Sequence, residues 1–189
     1  MIFWIINIAI LLVIILLLLV ISMTWPPDSP WAPFWTTKPN IARAMCKMAK
    51  VNQRTVVYEL GCGTATALTI AAKEFKAPGV GIEIDPLRFF NAWINVNVRF
   101  KVGDRVTLVR DNFFNIPLNQ ADIFFIYLIP NALKRLTPKF LKEVKKNAIF
   151  VSYVYPFPVE LFRGRLQLLK HDKKNRLYMY KLVSSRGKK

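Results

Sequence analysis

Glu59-Leu60-Gly61-Cys62-Gly63-Thr64-Ala65 is the stretch on which the fold turns. Thr55-Val56-Val57-Tyr58 precedes it, so residues 55–60 predict a short strand that runs straight into two glycines. Gly61 and Gly63 let the backbone turn tightly and approach a ligand closely. Thr64 is placed to cap a helix running to about Lys76, whose N-terminus offers free N–H groups. A dinucleotide-binding turn of the form G-x-G-x-x-G/A needs a small residue at the position of Thr66, so that template fails.

Outward from this unit, strands and helices alternate. Gly79–Ile84 predicts a second strand, and Asp85-Pro86 an N-cap and first-turn pair opening a helix to about Phe100. Arg105–Val109, Ala121–Leu128 and Ala148–Tyr155 predict three more strands, with a basic helix over Asn131–Lys146. Asn40–Lys50 carries an amphipathic helical spacing ahead of the first strand. Arg165–Leu169 and Leu177–Val183 predict a closing hairpin around His171–Asn175. The fold class is α/β, a mostly parallel sheet with an antiparallel edge.

In such a sheet, ligands bind beyond the carboxyl ends of the strands. Three strand ends here carry suggestive residues in order: Glu59 with Gly61, Cys62 and Gly63; Glu83, 22 residues after Gly61; and Asp111-Asn112-Phe113. The alternation Glu-x-Gly-x-Gly-x-small over 59–65 resembles the first motif of seven-stranded S-adenosylmethionine-dependent methyltransferases. That resemblance implies a Rossmann-like seven-stranded sheet with S-adenosyl-L-methionine as cofactor. A carboxylate two residues before the first glycine suits the ammonium of a methionine moiety, where it would repel a pyrophosphate. Glu83 is then placed to accept both ribose hydroxyls, Asp111 to accept from the adenine amino group, and Phe113 to lie against the ring. Cys62 is expected to contribute its backbone rather than its sulfur.

A narrower resemblance runs through Pro33-Phe34-Trp35-Thr36, Ala121–Pro130 and Tyr155-Pro156-Phe157-Pro158. These segments look like the membrane-anchored protein-lysine methyltransferases of the adenine nucleotide translocase and ATP synthase c-subunit type, with their small prokaryotic relatives. The resemblance implies Nε-methylation of an accessible lysine on a membrane or membrane-adjacent protein. Family members usually carry an acidic residue after the second glycine and then Gly-Arg; here Thr64-Ala65-Thr66 stand instead. Methyl transfer from a sulfonium rests on alignment of a neutral amine, and an apolar aromatic channel favours the deprotonated amine by desolvation. Tyr127, ending the fourth strand, is the first candidate to line that channel, with Tyr153, and then Tyr155 and Phe157, behind it. Asp122 begins its strand and is read as structural.

The rest of the chain is two materials joined end to end. A mean hydropathy of +0.28 coexists with a net charge of +17, because no charged side chain precedes Asp28 and no basic one precedes Lys38. Residues 2–23 are apolar except for Asn7 and Ser22, long enough to span a hydrocarbon core of roughly 30 Å. No basic residue precedes the run and no small-residue cleavage site follows, which disfavours a secretory signal peptide. Residues 1–24 are read as a transmembrane anchor, 25–38 as a juxtamembrane spacer rich in proline and tryptophan, and 39–189 as the methyltransferase domain. Trp25, Trp31, Phe34 and Trp35 are expected at headgroup level, and Pro26, Pro27, Pro30 and Pro33 to stiffen the spacer. The positive-inside rule puts the body on the cytoplasmic side of a single-pass protein.

Lys134, Arg135, Lys139, Lys142, Lys145 and Lys146 cluster on the fifth helix, with further cations at 170–176, Arg186, Lys188 and Lys189. An anionic membrane surface is the expected partner of this charge; nucleic acid is not expected, since a bilayer anchor is an odd addition to an RNA enzyme. Cys46 and Cys62 support neither a disulfide framework nor a zinc site, and no metal is expected. Two other readings stay open: a small-molecule or phospholipid amine methyltransferase, and a non-catalytic S-adenosylmethionine-binding protein.

Overall fold

A computed structural model describes residues 2–24 and 35–183. The spacer residues Trp25, Pro26, Pro27, Pro30, Trp31, Pro33 and Phe34, and the terminal cations Arg186, Lys188 and Lys189, lie outside the described residues. The first helix, α1, covers Ile2–Thr24 and is long and apolar enough to cross a membrane. Its described side chains are exposed, the reverse of a core helix.

The remaining elements alternate as the sequence implies: α2 (Pro39–Met48), β1 (Val57–Leu60), α3 (Thr66–Phe75), β2 (Gly79–Glu83), α4 (Pro86–Ile94), β3 (Val106–Arg110), β4 (Ile123–Ile126), α5 (Pro130–Glu143), β5 (Ile149–Tyr153), β6 (Leu166–Asp172) and β7 (Leu177–Leu182). A π-helical turn, Asn95–Arg99, extends α4, and a 3₁₀ turn, Val159–Phe162, precedes β6. The seven strands form one sheet in the order β3-β2-β1-β4-β5-β7-β6. The first five are parallel, and β7 runs antiparallel between β5 and β6. The chain moves outward from β1 through β2 to β3, then returns to β1's other side as β4. The β1/β4 boundary is therefore the switch point, where a crevice opens at the carboxyl ends.

Side chains on β1 and β4 alternate between two cores. Val57, Ile123 and Phe125 join α2, α3 and α4 through Met45, Leu68 and Ala92 on one face. Tyr58, Leu60, Phe124 and Ile126 join α5 through Leu133, Leu136 and Phe140 on the other. The second core is held by rings: Phe150 lies parallel to Phe124 at 4.9 Å and edge-on to Phe140 at 5.0 Å. Phe157, expected in the substrate channel, belongs to this core instead, edge-on to Phe150 at 5.3 Å and to Tyr180 at 5.4 Å. Its amide also donates to the Tyr180 hydroxyl, so the Pro-Phe-Pro segment anchors a loop rather than walling a channel.

On the first face, α3 approaches β2 very closely. A Cβ on Gly81 would stand 2.8 Å from Leu68 Cδ1 and 2.9 Å from Cys62 Sγ, so a larger residue there would have to displace both buried side chains. Asp122 is structural, as expected: its carboxylate accepts the Val56 N–H at 2.8 Å and pairs with Lys145 at 2.6 Å.

Truncating the ring at the centre of the second core removes three aromatic contacts at once. Phe150→Ala is expected to cost about 3–5 kcal/mol, read as a lowered urea midpoint in mild detergent.

Candidate functional site

The glycine turn is pinned from beneath by β2. The Gly61 and Cys62 N–H groups both donate to the Ile82 carbonyl at 2.9 Å. Gly61 and Gly63 take left-handed backbone angles, φ +72° and +54°, where a Cβ is unwelcome. Ala65 takes one too, at φ +55°, and this is the position where the resembled family carries glycine. Its N–H donates to the Cys62 carbonyl at 2.7 Å, so the turn closes in the same form with alanine bearing a modest local strain. The N–H of Cys62 is thus spent on β2 and its carbonyl on Ala65, and its sulfur is buried.

Thr64 does not cap α3, contrary to its expected role. The cap position falls on Ala65, which has no side chain to offer, and Thr64 Oγ1 lies 3.0 Å from Thr66 Oγ1 instead. From β1, the Glu59 carboxylate faces the backbone N–H of Leu68, one of the first-turn donors left without an intrahelical partner, and that N–H favours its charged form. Glu59 is buried, and its Oε2 has no hydrogen-bond partner among the described residues. Burial pushes its pKa up to about 8; the Leu68 N–H works against that shift and the nearby Glu83 adds to it. A buried carboxylate with one unused oxygen at a helix N-terminus calls for a cationic group, which is what the ammonium of a methionine moiety supplies.

Glu83 sits at the end of β2, buried, and holds two chain segments together. Its Oε2 accepts the Gly63 N–H at 2.8 Å and its Oε1 the Asp85 N–H at 3.0 Å. Burial raises its pKa, and these two N–H bonds oppose the rise. Each oxygen keeps a further lone pair for a diol. Asp85 caps α4 as expected, accepting the Arg88 N–H at 2.8 Å, with Pro86 at the first helical position. Asn95, in the π turn, donates to the Thr64 carbonyl at 2.9 Å and fastens the far side of the turn. The register pairs Glu83 with Arg110, so Asp111 begins just past it. Asp111 Oδ1 accepts from Asn115 Nδ2 at 2.9 Å, and Asn112 Oδ1 accepts the Phe114 N–H at 3.1 Å. These bonds shape a tight loop that presents Phe113, half-buried and 5.0 Å from Phe114.

Beside the turn stands a second group. Leu128 approaches Gly61, with its Cδ2 3.6 Å from where a Cβ would be, which brings the end of β4 against the glycine turn. There Tyr127 meets Tyr153 at 4.6 Å between ring centroids, and Trp35 lies over both Tyr127 (5.8 Å) and Tyr155 (6.4 Å). Desolvation, helped by the neighbouring Tyr153 and Tyr155, pushes the Tyr127 pKa up to about 12, so it remains a neutral phenol. Val154, between two of these tyrosines, has φ +70°, an outlier for a β-branched residue. It centres a γ-turn closed by the Tyr155 N–H on the Tyr153 carbonyl at 2.9 Å. The Val154 N–H on the Arg176 carbonyl (2.8 Å) and Ser152 Oγ on the Tyr155 carbonyl hold it there. Strain of this kind costs on the order of 1–3 kcal/mol and persists only where surrounding bonds over-determine it.

The structure thus gathers Glu59, Gly61, Cys62, Gly63 and Glu83 into one crevice, with the Asp111-Asn112-Phe113 loop on its β3 side and Tyr127 with Tyr153 on its β4 side. Asn95 and Val154 join the site without having been singled out, and Trp35, expected at headgroup level, packs on Tyr127 and Tyr155. Trp35 was legible as part of the Pro33–Thr36 segment and as an aromatic near a membrane, not as a cover on the tyrosines. Asn95 carries no local signal inside a helix, and nothing in a sequence marks a valine for left-handed backbone.

Compared with known proteins, residues 59–160 match the family model of the ANTKMT methyltransferase domain. A protein-lysine N-methyltransferase of Saccharolobus islandicus is 34% identical over 134 residues, covering 70% of this chain and 81% of that protein. A ribosomal protein L11 methyltransferase of Alkaliphilus oremlandii is 26% identical over 103 residues, and the match spans only 32% of that protein. Among solved structures, an RNA methyltransferase from Salinibacter ruber in complex with S-adenosyl-L-homocysteine superposes with a TM-score of 0.71 at 25% identity, covering 82% of this chain and 98% of that one.

The raised pKa of Glu59 gives cofactor binding a pH signature. A carboxyl whose folded pKa is raised to about 8 is mostly protonated at pH 7 and must release its proton to meet an ammonium. Calorimetry at pH 7 in buffers of different ionisation enthalpy is expected to show proton release on S-adenosylmethionine binding, with affinity tightening from pH 6 to 8. Glu59→Gln is expected to remove both effects and weaken binding at least tenfold.

Proposed function

The chain belongs to the ANTKMT methyltransferase domain family and is an S-adenosylmethionine-dependent methyltransferase, and from that premise we propose that it methylates a lysine side chain of a membrane or membrane-adjacent protein. The observation that carries this reading is the aromatic group Trp35, Tyr127, Tyr153 and Tyr155 beside the glycine turn. It offers a lysine what methyl transfer requires of an amine, a wall of rings that penalises the charged ammonium and lowers its pKa. When bound, the cofactor supplies a methyl group on a sulfonium whose departure leaves a neutral thioether. In the chain itself, Glu59 is assigned the methionine ammonium, Glu83 the ribose hydroxyls, and Asp111, Asn112 and Phe113 the adenine. Tyr127, neutral throughout the working pH range, is assigned to orient the incoming amine by accepting an amine N–H at its phenol oxygen, which leaves the nitrogen lone pair free for the methyl group. Tyr153 backs it and narrows the approach. Positioning, with no strong base, is the main contribution of these side chains.

Support for the membrane setting comes from the chain's own connectivity. Trp35, which covers the aromatic wall, lies only eleven residues beyond the end of α1, so the mouth of the site is at most about 40 Å from the end of that helix. With α1 as a transmembrane anchor, an anionic bilayer is the body's neighbour and a single-pass protein with a cytoplasmic methyltransferase domain is the topology we assign. The 34% identical relative, named a protein-lysine N-methyltransferase, supports the choice of lysine.

Full-length protein incubated with methyl-labelled S-adenosylmethionine and native membranes is expected to place label in a protein band that survives delipidation and maps to lysine. Label confined to the lipid phase would overturn the substrate assignment. Tyr127→Phe is expected to lower kcat about tenfold or more while the S-adenosylmethionine Kd stays within twofold.

A further inference from the structure

Helix α4 and its π extension have one buried side and one bare one. Ala92 and Val96 are buried against α3 and the sheet. On the outer side Phe90, Trp93 and Val98 are 58%, 46% and 54% exposed, with Leu87 beside them. Phe90 and Trp93 lie parallel, 6.4 Å between centroids and 5° between planes, so they form one continuous apolar surface. Single exposed apolar residues are ordinary on any protein, but an aromatic stripe along one helix marks a contact surface.

The edges of the stripe are cationic. The Lys73 ammonium lies 5.3 Å from the Phe100 ring, and Lys76, Arg99 and Lys101 are exposed around the same end. The two nearby acidic side chains, Asp104 and Glu74, are engaged by Arg105 and Arg43. Rings of Phe and Trp bordered by Lys and Arg match a bilayer interface, where rings sit at the headgroup–acyl boundary and cations meet lipid phosphates. Because α4 starts where β2 ends, the stripe begins at the rim of the crevice. The cations of α5 lie over the opposite face of the sheet, packed through Leu133, Leu136 and Phe140 into the other core.

We propose that the outer face of α4 and its π turn is a second membrane contact, which docks the methyltransferase domain on an anionic bilayer through Leu87, Phe90, Trp93 and Val98. This rests on the reading of α1 as a membrane anchor.

The test places an environment-sensitive fluorophore on single introduced cysteines of the full-length chain, at Val98→Cys, Lys142→Cys or Ile10→Cys; the native Cys46 and Cys62 are buried. Each protein is reconstituted in vesicles of phosphatidylcholine and phosphatidylglycerol with and without brominated acyl chains. Bromine is expected to quench the probes at 98 and 10 and to leave that at 142 unchanged. Phe90→Ser combined with Trp93→Ser is expected to reduce quenching at 98 several-fold without altering it at 10. Quenching at 10 with none at 98 overturns the docking face and leaves the anchor intact. Energy transfer between copies labelled at 98, without quenching, overturns it in favour of self-association. No quenching at 10 overturns the anchor reading itself, and the proposal with it.

Discussion

One buried carboxylate holds the site together. Glu83 gives up its hydration at the end of β2 and recovers it from two backbone N–H groups, one in the glycine turn and one at the head of α4. Those two segments would otherwise be independent loops on neighbouring strands. With Glu83 between them, the turn after β1 cannot move without β2, and α4 starts from a fixed point. Asp85 continues the chain of bonds into the first turn of α4, and Asn95 returns from the far end of the same helix to Thr64. The crevice is thus a closed ring of hydrogen bonds, and a closed ring is what lets a carboxylate and several strained residues persist at a strand end.

Glu59 uses the same economy differently. Its carboxylate faces the first turn of α3, and its Oε2 is buried without a hydrogen-bond partner among the described residues. The sequence assigned the cap to Thr64, but the cap position falls on the left-handed Ala65, and Thr64 Oγ1 lies against Thr66 Oγ1 instead.

Much of this was legible before any coordinates. The succession of elements, the mostly parallel sheet and its antiparallel edge follow from alternating segments and a terminal hairpin, because hydrophobic period and glycine placement are local signals; the order of strands across the sheet does not. That Glu59, Gly61, Gly63 and Glu83 come together was legible too, since they are fixed to the ends of strands that are neighbours in the sheet. The substrate side was only half legible. Tyr127 and Tyr153 could be placed by strand end, but Phe157 belongs to the ring-packed core, and Trp35 crosses from a stretch that reads as membrane-proximal. Contacts between residues more than a hundred positions apart, such as Trp35 with Tyr155, leave no mark in composition or spacing. Nor does Val154, whose strain is imposed by bonds from Ser152 and Arg176. The N-terminal helix was read from length and apolarity, which a sequence states outright.

The claim on which the rest depends is that Glu83 organises the crevice for the cofactor. Glu83→Gln keeps size and shape but sets an amide NH₂ against one of the two backbone N–H groups. Titrating S-adenosylmethionine into the folded variant and the parent protein measures the consequence directly. Affinity reduced about 10- to 100-fold, the equivalent of roughly 1–3 kcal/mol for an unsatisfied buried donor, is the predicted result. An unchanged Kd in a variant whose circular dichroism matches the parent would contradict it.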